Sequence, residues 1–331
     1  MDVAPSFHPA PNNSFSTTLP YLQIYWDSTS LGALKTCPRY YFYSIIQGFT
    51  SYHQSVHLTF GLLYHSSLEY YDHMKFSGLD HDAALIATVR KVLIDTWDAK
   101  LNRAIEMDSD TKSRSGLLRT VIWYLDQFKD DTLKTVKLDN GKPAIELSFR
   151  FACGYKSTAT DEDFFLCGHF DKYADMDDKY FIVDRKTTKN TLNAAYFERF
   201  MLDNQMSTYN FAGDVVLPHK LSGIIIDAAQ VAITFSRFQR QQIYKPKSLI
   251  DEWYKDLGIY LSAAESYAEK EYWPQNTKAC SIPRIDDKTG ELVYGCSFAQ
   301  VCMKPESLRQ QFLNAGYSRR TWNPLEVRGD I

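Results

Sequence analysis

The sequence predicts an α/β protein with a mainly helical N-terminal layer, and three observations predict it. Between residues 80 and 131 apolar positions recur every three or four residues (Leu85, Ile86, Val89, Val92, Leu93, Trp97, then Leu117, Leu118, Val121, Ile122, Leu125), the spacing of helices with one buried face. From Ala144 the period becomes two: AIELSFRFACG, DFFLCGHFDKYADM and KYFIVDRKTT read as three successive antiparallel strands, the last two joined by an Asp177-Asp178 turn, with Asp175 beside it. Beyond them GIIIDAAQVAITF (223–235) is apolar on both faces, which suits a central strand.

The remaining elements fall around this frame. Residues 1–20 are rich in Pro, Ser and Asn and read as an extended or disordered arm. Ser28 or Ser30 is the expected N-cap of a helix ending near Thr36, and Pro38 opens a second, aromatic helix through YYFYSII. A longer helix runs from about His57 to Lys75 and aligns Gly61, His65 and Glu69 at i, i+4 and i+8 on one face. One helix is expected from about Leu192 to Val215 and a last one from about Lys247 to Tyr272.

Composition narrows the function classes. The 331 residues carry 37 Lys+Arg against 40 Asp+Glu, a formal charge of −3. That balance excludes nucleic-acid binding by a uniformly basic surface and leaves room for a local basic groove. No apolar run approaches the roughly 18 residues of a membrane span. The N-terminal text has neither a basic nor an apolar leader region, so a cytoplasmic protein with reduced thiols is expected. Cys153 and Cys167 lie in alternating apolar text and read as small core residues. Cys280, Cys296 and Cys302 fall close together, with Cys37 far upstream in KTCPRYY. Their spacing alone admits an iron–sulfur cluster, a zinc site or scattered buried thiols.

The chemistry concentrates in KYFIVDRKTT. Ile182, Asp184 and Lys186 share one strand face, which sets a carboxylate about 6–7 Å from an ammonium. Asp171 on the preceding strand is placed to lie opposite or diagonal to Asp184. Two converging carboxylates are costly without a cation between them, and hard oxygen donors favour Mg²⁺ or Mn²⁺. An isolated D-x-K, by contrast, reads as a surface salt bridge at a strand end.

The neighbouring text decides between these readings. GHFDKYADMDDKYFIVDRKTTK resembles the signature of the PD-(D/E)XK nuclease superfamily in its RecB-like branch. FGLLYHSSLE is similar to that branch's G-x-x-x-H-x-x-x-E helix, NQMSTY to its Q-x-x-x-Y helix, and SLGALKTCPRYYFY to its upstream C-P-R motif. These segments cover roughly residues 28–215 in the family's order. The resemblance implies a restriction-endonuclease-like mixed sheet flanked by helices. It implies a nuclease domain over 21–303, with a helical insertion at about 76–140, a catalytic core at about 141–235 and a cysteine segment at 275–303, followed by a tail at 304–331.

It also implies roles. His65, Asp171 and Asp184 would ligate Mg²⁺ or Mn²⁺, with the backbone carbonyl of Arg185 as a further ligand. Lys186 would orient the attacking water, and Gln205 and Tyr209 would position the lysine or the scissile strand. Glu69 and Glu146 are lesser acidic candidates. Cys37, Cys280, Cys296 and Cys302 resemble the four ligands of a [4Fe–4S] cluster in CRISPR-adaptation and recombination nucleases, with zinc the lesser alternative. This chain departs from that pattern between Cys280 and Cys296, where SIPRIDDKTGELVYG replaces the usual two-residue gap and is expected to loop out as a hairpin.

The implied substrate is DNA, as a single strand or a duplex end, and the implied partners are recombination or replication proteins, in a phage or its bacterial host. Lys35, Arg39, Arg185, Lys189 and the SRFQRQQIYKPK segment (Arg237, Arg240, Lys245, Lys247, with Phe235, Phe238 and Tyr244) are the candidate strand path. Two rival readings are a non-cleaving nucleic-acid-binding protein of the same fold and an iron–sulfur electron carrier.

Overall fold

The structure is a computed structural model that describes residues 14–51, 56–105, 107, 111–280, 284–285 and 292–325. Its elements run β1 (Tyr25–Trp26), α1 (Ser28–Thr36), α2 (Pro38–Tyr41), β2 (Phe49–Ser51), α3 (Val56–Phe76), α4 (His81–Asp95), β3 (Trp97–Asp98), β4 (Arg103–Ala104), α5 (Arg114–Gln127) and β5 (Lys134–Thr135). They continue with β6 (Ile145–Lys156), β7 (Asp163–Met176), β8 (Lys179–Thr188), α6 (Ala194–Glu198), α7 (Asn204–Val216), β9 (Leu221–Val231), β10 (Ser236–Ile243) and α8 (Lys247–Glu269). The last are β11 (Arg284–Ile285), β12 (Leu292–Val293), α9 (Ala299–Cys302), α10 (Glu306–Gly316) and β13 (Tyr317–Arg319). Among the described residues no helix is long and apolar enough to cross a membrane.

The chain divides into two compact units: Met1–His53, Arg150–Gly168 and Asp251–Glu326 form one, and Gln54–Phe149, His169–Ile250 and Val327–Ile331 the other. In the second, β7, β8, β9 and β10 lie in that order, with β5 and β6 also pairing β7. The β7–β8 and β9–β10 pairs are antiparallel and β8–β9 is parallel, so the sheet is mixed. Asp177 and Asp178 make the β7–β8 turn at φ +53° and +58°, the left-handed pair a tight hairpin needs and that Asp tolerates. As its two-faced apolar text requires, β9 is central, buried from Gly223 to Val231.

Helices cover both faces of this sheet. On one, Phe60, Tyr64, Leu68 and Tyr71 of α3 pack with Val92 of α4, with Leu117, Val121 and Tyr124 of α5, and with Ala229 and Val231 of β9. On the other lies α7, whose Gly213 permits close approach: a Cβ there would sit on a Leu221 methyl and 3.0 Å from the Ile182 δ-methyl. This mixed α/β architecture is consistent with a restriction-endonuclease-like fold.

The other unit joins early and late sequence. β2 pairs antiparallel with β13, and Tyr43 and Phe49 pack on Phe298, Val301 and Leu313. Arg39 of the C-P-R text is buried and donates from Nε to the Trp273 carbonyl (3.1 Å) and from Nη1 to Gln275 Oε1 (3.3 Å), while its N–H donates to the Pro274 carbonyl (3.1 Å). Cys153 and Cys167 are buried here, as expected.

Several expectations need correction. The first helix is capped by Asp27, which is extended (φ −109°, ψ 171°) and accepts from the Ser30 N–H, so Ser30 completes a capping box as its third residue. YYFYSII does not continue as an α-helix: Phe42–Ile46 widens into a π-helical turn. The helix expected over 192–215 is broken, because Asp203 accepts from the N–H groups of Gln205 and Met206 and starts α7 anew. SRFQRQQI is a full strand, β10. The arm expected at 1–20 falls outside the described residues up to residue 13; Phe15, within it, bridges to Gln23. Of the expected insert hairpin, Arg284–Ile285 pairs antiparallel with Leu292–Val293, and its turn lies outside the described residues.

Candidate active site

The site is built where β7 and β8 part. Their ladder runs from Met176↔Lys179 to Lys172↔Val183. One step further, Asp171 replaces a strand hydrogen bond with its side chain, Oδ2 accepting from the Arg185 N–H at 2.8 Å. From α3, His65 Nδ1 reaches the same oxygen at 3.3 Å. Asp184 is 1% exposed, and the Lys186 ammonium lies 3.0 Å from its Oδ1 and 2.8 Å from its Oδ2.

A relay extends from the lysine. Lys186 Nζ donates to Gln205 Oε1 at 2.8 Å, and Gln205 Nε2 donates to the Tyr209 hydroxyl at 3.0 Å. Gln205 and Tyr209 sit one turn apart on α7, and the Asp203 cap sets where that helix begins. Lys245 is buried beneath it, donating to the Asp203 carbonyl and to Ser207 Oγ. The Tyr209 ring stands edge-on to Phe170, with centroids 5.2 Å apart.

Burial and charge set the protonation states. Burial pushes the Asp184 carboxyl up to about 7, with Asp171 adding to the rise and Lys186 opposing it. Burial alone would lower Lys186, but the Asp184 and Asp171 carboxylates hold its ammonium above the usual value. Burial lowers His65 against the pull of Asp171, which favours the neutral imidazole that ligates metals. Tyr209 is raised by burial first and then by Asp184 and Asp171, so it remains a phenol.

The structure brings His65, Asp171, Asp184, Lys186, Gln205 and Tyr209, all singled out in the sequence, together at one locus. Glu69 is partly buried on the same α3 stripe, 4.0 Å from His73, and burial raises its carboxyl. Glu146, the second residue of β6, sits at φ +48°, and its charge is the smallest of the influences on Tyr209. Sequence reasoning missed Asp72, which continues the stripe Gly61–His65–Glu69 by one more turn. Asp72 Oδ2 accepts from Arg185 Nη2, and its Oδ1 accepts from Lys172 Nζ at 3.3 Å. Burial opposes this, yet the Lys172 and Arg185 cations hold the Asp72 carboxyl below the ordinary range. Heptad spacing from His65 was the available signal.

The proposed basic strand path is reduced. Arg240 is engaged by Asp131 (2.7 Å), Asp227 (3.2 Å) and the Tyr124 hydroxyl (2.8 Å). Arg185, Arg39 and Lys245 are likewise buried and committed to partners in the fold. Lys35 lies over the Tyr260 ring and Arg237 over Phe235.

Among the described residues, no three His, Cys, Asp or Glu side chains are drawn in closely enough to hold a metal. The donor set nevertheless suits a hard divalent ion: two carboxylates, of which Asp171 raises the proton affinity of Asp184, a neutral imidazole, and a buried Asp184 Oδ2 that faces the Lys186 ammonium at 2.8 Å. The sequence model of the PD-(D/E)XK nuclease superfamily matches residues 28–303. The chain belongs to that superfamily. Its members are nucleases, and the matched span contains the whole relay from His65 to Tyr209. A solved structure titled "Crystal structure of SSO0001" aligns with 71% of this chain and 75% of its own at 10% identity, with a TM-score of 0.29 that carries no argument. No curated protein sequence matches the chain.

The four remaining cysteines gather in the other unit. Cys37 Sγ accepts from the Asn276 N–H at 3.3 Å and Cys280 Sγ from Gln275 Nε2 at 3.5 Å. Burial raises the Cys302 thiol, Arg39 opposes the rise, and Cys280, Cys296 and Cys37 add to it. Burial likewise raises Cys296, with smaller contributions from Cys280 and Cys37. All four sulfurs therefore share one electrostatic neighbourhood.

Proposed function

We propose that this superfamily member is a Mg²⁺- or Mn²⁺-dependent deoxyribonuclease of the RecB-like branch, an exonuclease of recombination, replication or repair. The observation that carries the reading is the Lys186 ammonium held between Asp184 and Gln205, beside an Asp171 oriented by His65 and the Arg185 amide. His65, Asp171 and Asp184 would hold the ion, with the Arg185 carbonyl completing the protein ligands. When bound, such an ion supplies Lewis acidity to a phosphodiester oxygen and lowers the pKa of water. Lys186 is held protonated by its two acidic neighbours, so it orients the attacking water and offers positive charge to the developing phosphorane. Gln205 fixes the amine's direction, and Tyr209 fixes Gln205. The Asp171 carboxylate is kept from rotating by the Arg185 amide and His65.

Cys37, Cys280, Cys296 and Cys302 are proposed to hold a [4Fe–4S] cluster with a structural role. Their mutual electrostatic influence supports this, as does the antiparallel β11–β12 pair, which would bring Cys280 and Cys296 together across the insert.

Full-length protein is expected to degrade DNA only with Mg²⁺ or Mn²⁺, and Lys186→Ala is expected to abolish this without loss of folding. Degradation that survives the substitution overturns the site assignment. DNA binding without degradation favours the non-cleaving alternative. An absorption spectrum after anaerobic purification, with iron and zinc quantified, tests the cysteines: a reversible low-potential couple without nuclease activity favours the electron-carrier alternative.

A further inference from the structure

We infer that the cavity on the Arg185 face of β8 is a binding site for a phosphate monoester dianion. The cavity holds about 240 Å³ and belongs wholly to the sheet unit, between the α3 and α5 ends and the Arg185 side chain. It is separate from the metal site, because Asp184 and Lys186 leave β8 on one face and Arg185 on the other.

Its walls carry an excess of positive charge. Lys172, Arg185 and Arg240 line it, and Lys75, Lys129 and Lys134, all exposed, stand around it. Against these six cations the lining offers Asp72 and Asp131, and Asp227 lies behind Arg240. Lys129 is itself paired with the exposed Asp126 at 3.6 Å, so four carboxylates leave a surplus of two positive charges in a concave space.

Two of the cations are built in. Arg185 is 4% exposed and Lys172 7% exposed, both in contact with the cavity and both held by Asp72. Arg185 Nε is buried with no hydrogen-bond partner, although Nη2 is engaged. An acceptor oxygen in the cavity would meet the Arg185 and Lys172 cations that line it. A phosphate monoester presents several such oxygens and about two negative charges. Phe76, 37% exposed, adds an open ring face at the cavity wall that a nucleobase or sugar could cover.

Inorganic phosphate and a nucleoside 5′-monophosphate share this dianion, and one titration separates them. Isothermal titration of the full-length protein in EDTA and low salt, with sodium phosphate, dAMP and deoxyadenosine in turn, is expected to give saturable binding of the first two and none of the third. Lys129→Gln combined with Lys134→Gln, at unchanged melting temperature, should weaken both by about tenfold, or about 1.4 kcal/mol. If dAMP binds about tenfold tighter than phosphate and Phe76→Ala removes the difference, a nucleotide is the ligand; equal affinities assign free phosphate. Lys186→Ala should leave binding unchanged. Absence of saturable binding, binding untouched by the double substitution, or binding lost in Lys186→Ala each overturns the inference. Because the readout is binding without metal, its failure is distinguishable from failure of the nuclease reading.

Discussion

The carboxylate site and the cysteine site differ in how far the chain has finished them. Around β8, Lys186 is fixed by Asp184 and Gln205, Gln205 by Tyr209, and Asp171 by an amide and an imidazole. The reactive groups are oriented by side chains whose own positions are set by strand register and a helix cap. Around Cys37 the effort goes instead into the scaffold: Arg39 ties three successive residues after α8, and Asn276 Nδ2 donates to the Thr36 carbonyl at 2.8 Å. The sulfurs themselves have few partners. The contrast teaches that a site proposed for proton and water chemistry is given directional control before any ion arrives, whereas the structural cluster proposed at the cysteines would need only four thiols near one another.

The comparison can be broken most forcefully at Asp72. Asp72→Ala would strand a buried Arg185 and Lys172 without their carboxylate, and a loss of about 3–5 kcal/mol is expected in chemical denaturation. A loss under 1 kcal/mol would mean that the Arg185 side chain does not anchor β8 against α3. Next, Gln205→Ala should lower the cleavage rate about 10²-fold with little change in melting temperature, the size of one lost orienting donor or acceptor. An unchanged rate would detach α7 from the chemistry.

On the cysteine side, Arg39→Ala leaves the buried Trp273 carbonyl without its donor and should cost about 1–3 kcal/mol. If the proposed cluster is present, Cys296→Ser should instead remove its iron while leaving most of the melting temperature, because the Arg39 clasp and the β2–β13 pair persist. If Cys296→Ser unfolds the protein and Arg39→Ala does not, the cluster and not the clasp holds that unit together.

A pH dependence is expected as well. In metal-free protein the folded Asp184 carboxyl is raised to about 7, above the unfolded value of about 3.9. The folded state then binds the proton more tightly. This contribution to stability is complete below about pH 4 and is lost as pH rises toward 7. Asp184→Asn should match the parent protein near pH 4 and exceed it in stability at pH 8. Equal stabilities at both pH values would contradict the burial argument.

Much of the site was legible because its signals are local. The D-x-K alternation needs only strand periodicity, and His65, Gln205 and Tyr209 need only helix spacing. What escaped depended on tertiary partners. Asp203 looks like a mid-helix residue until its carboxylate is seen capping α7. Arg240 and Lys245 read as a basic strand path, yet Asp131, Asp227 and Ser207 had already claimed them. SRFQRQQI, polar and charged, became β10 because its register sets Arg240 opposite Asp227 on the neighbouring strand. The Phe42–Ile46 π-turn has no sequence signal that we can name.

One titration bears on the whole account: Mn²⁺ followed by electron paramagnetic resonance in the parent protein, in Asp171→Asn and in Asp184→Asn. A single saturable Mn²⁺ site that each substitution weakens at least about tenfold is the expected result. Mn²⁺ bound equally by all three proteins would mean that these carboxylates never share an ion.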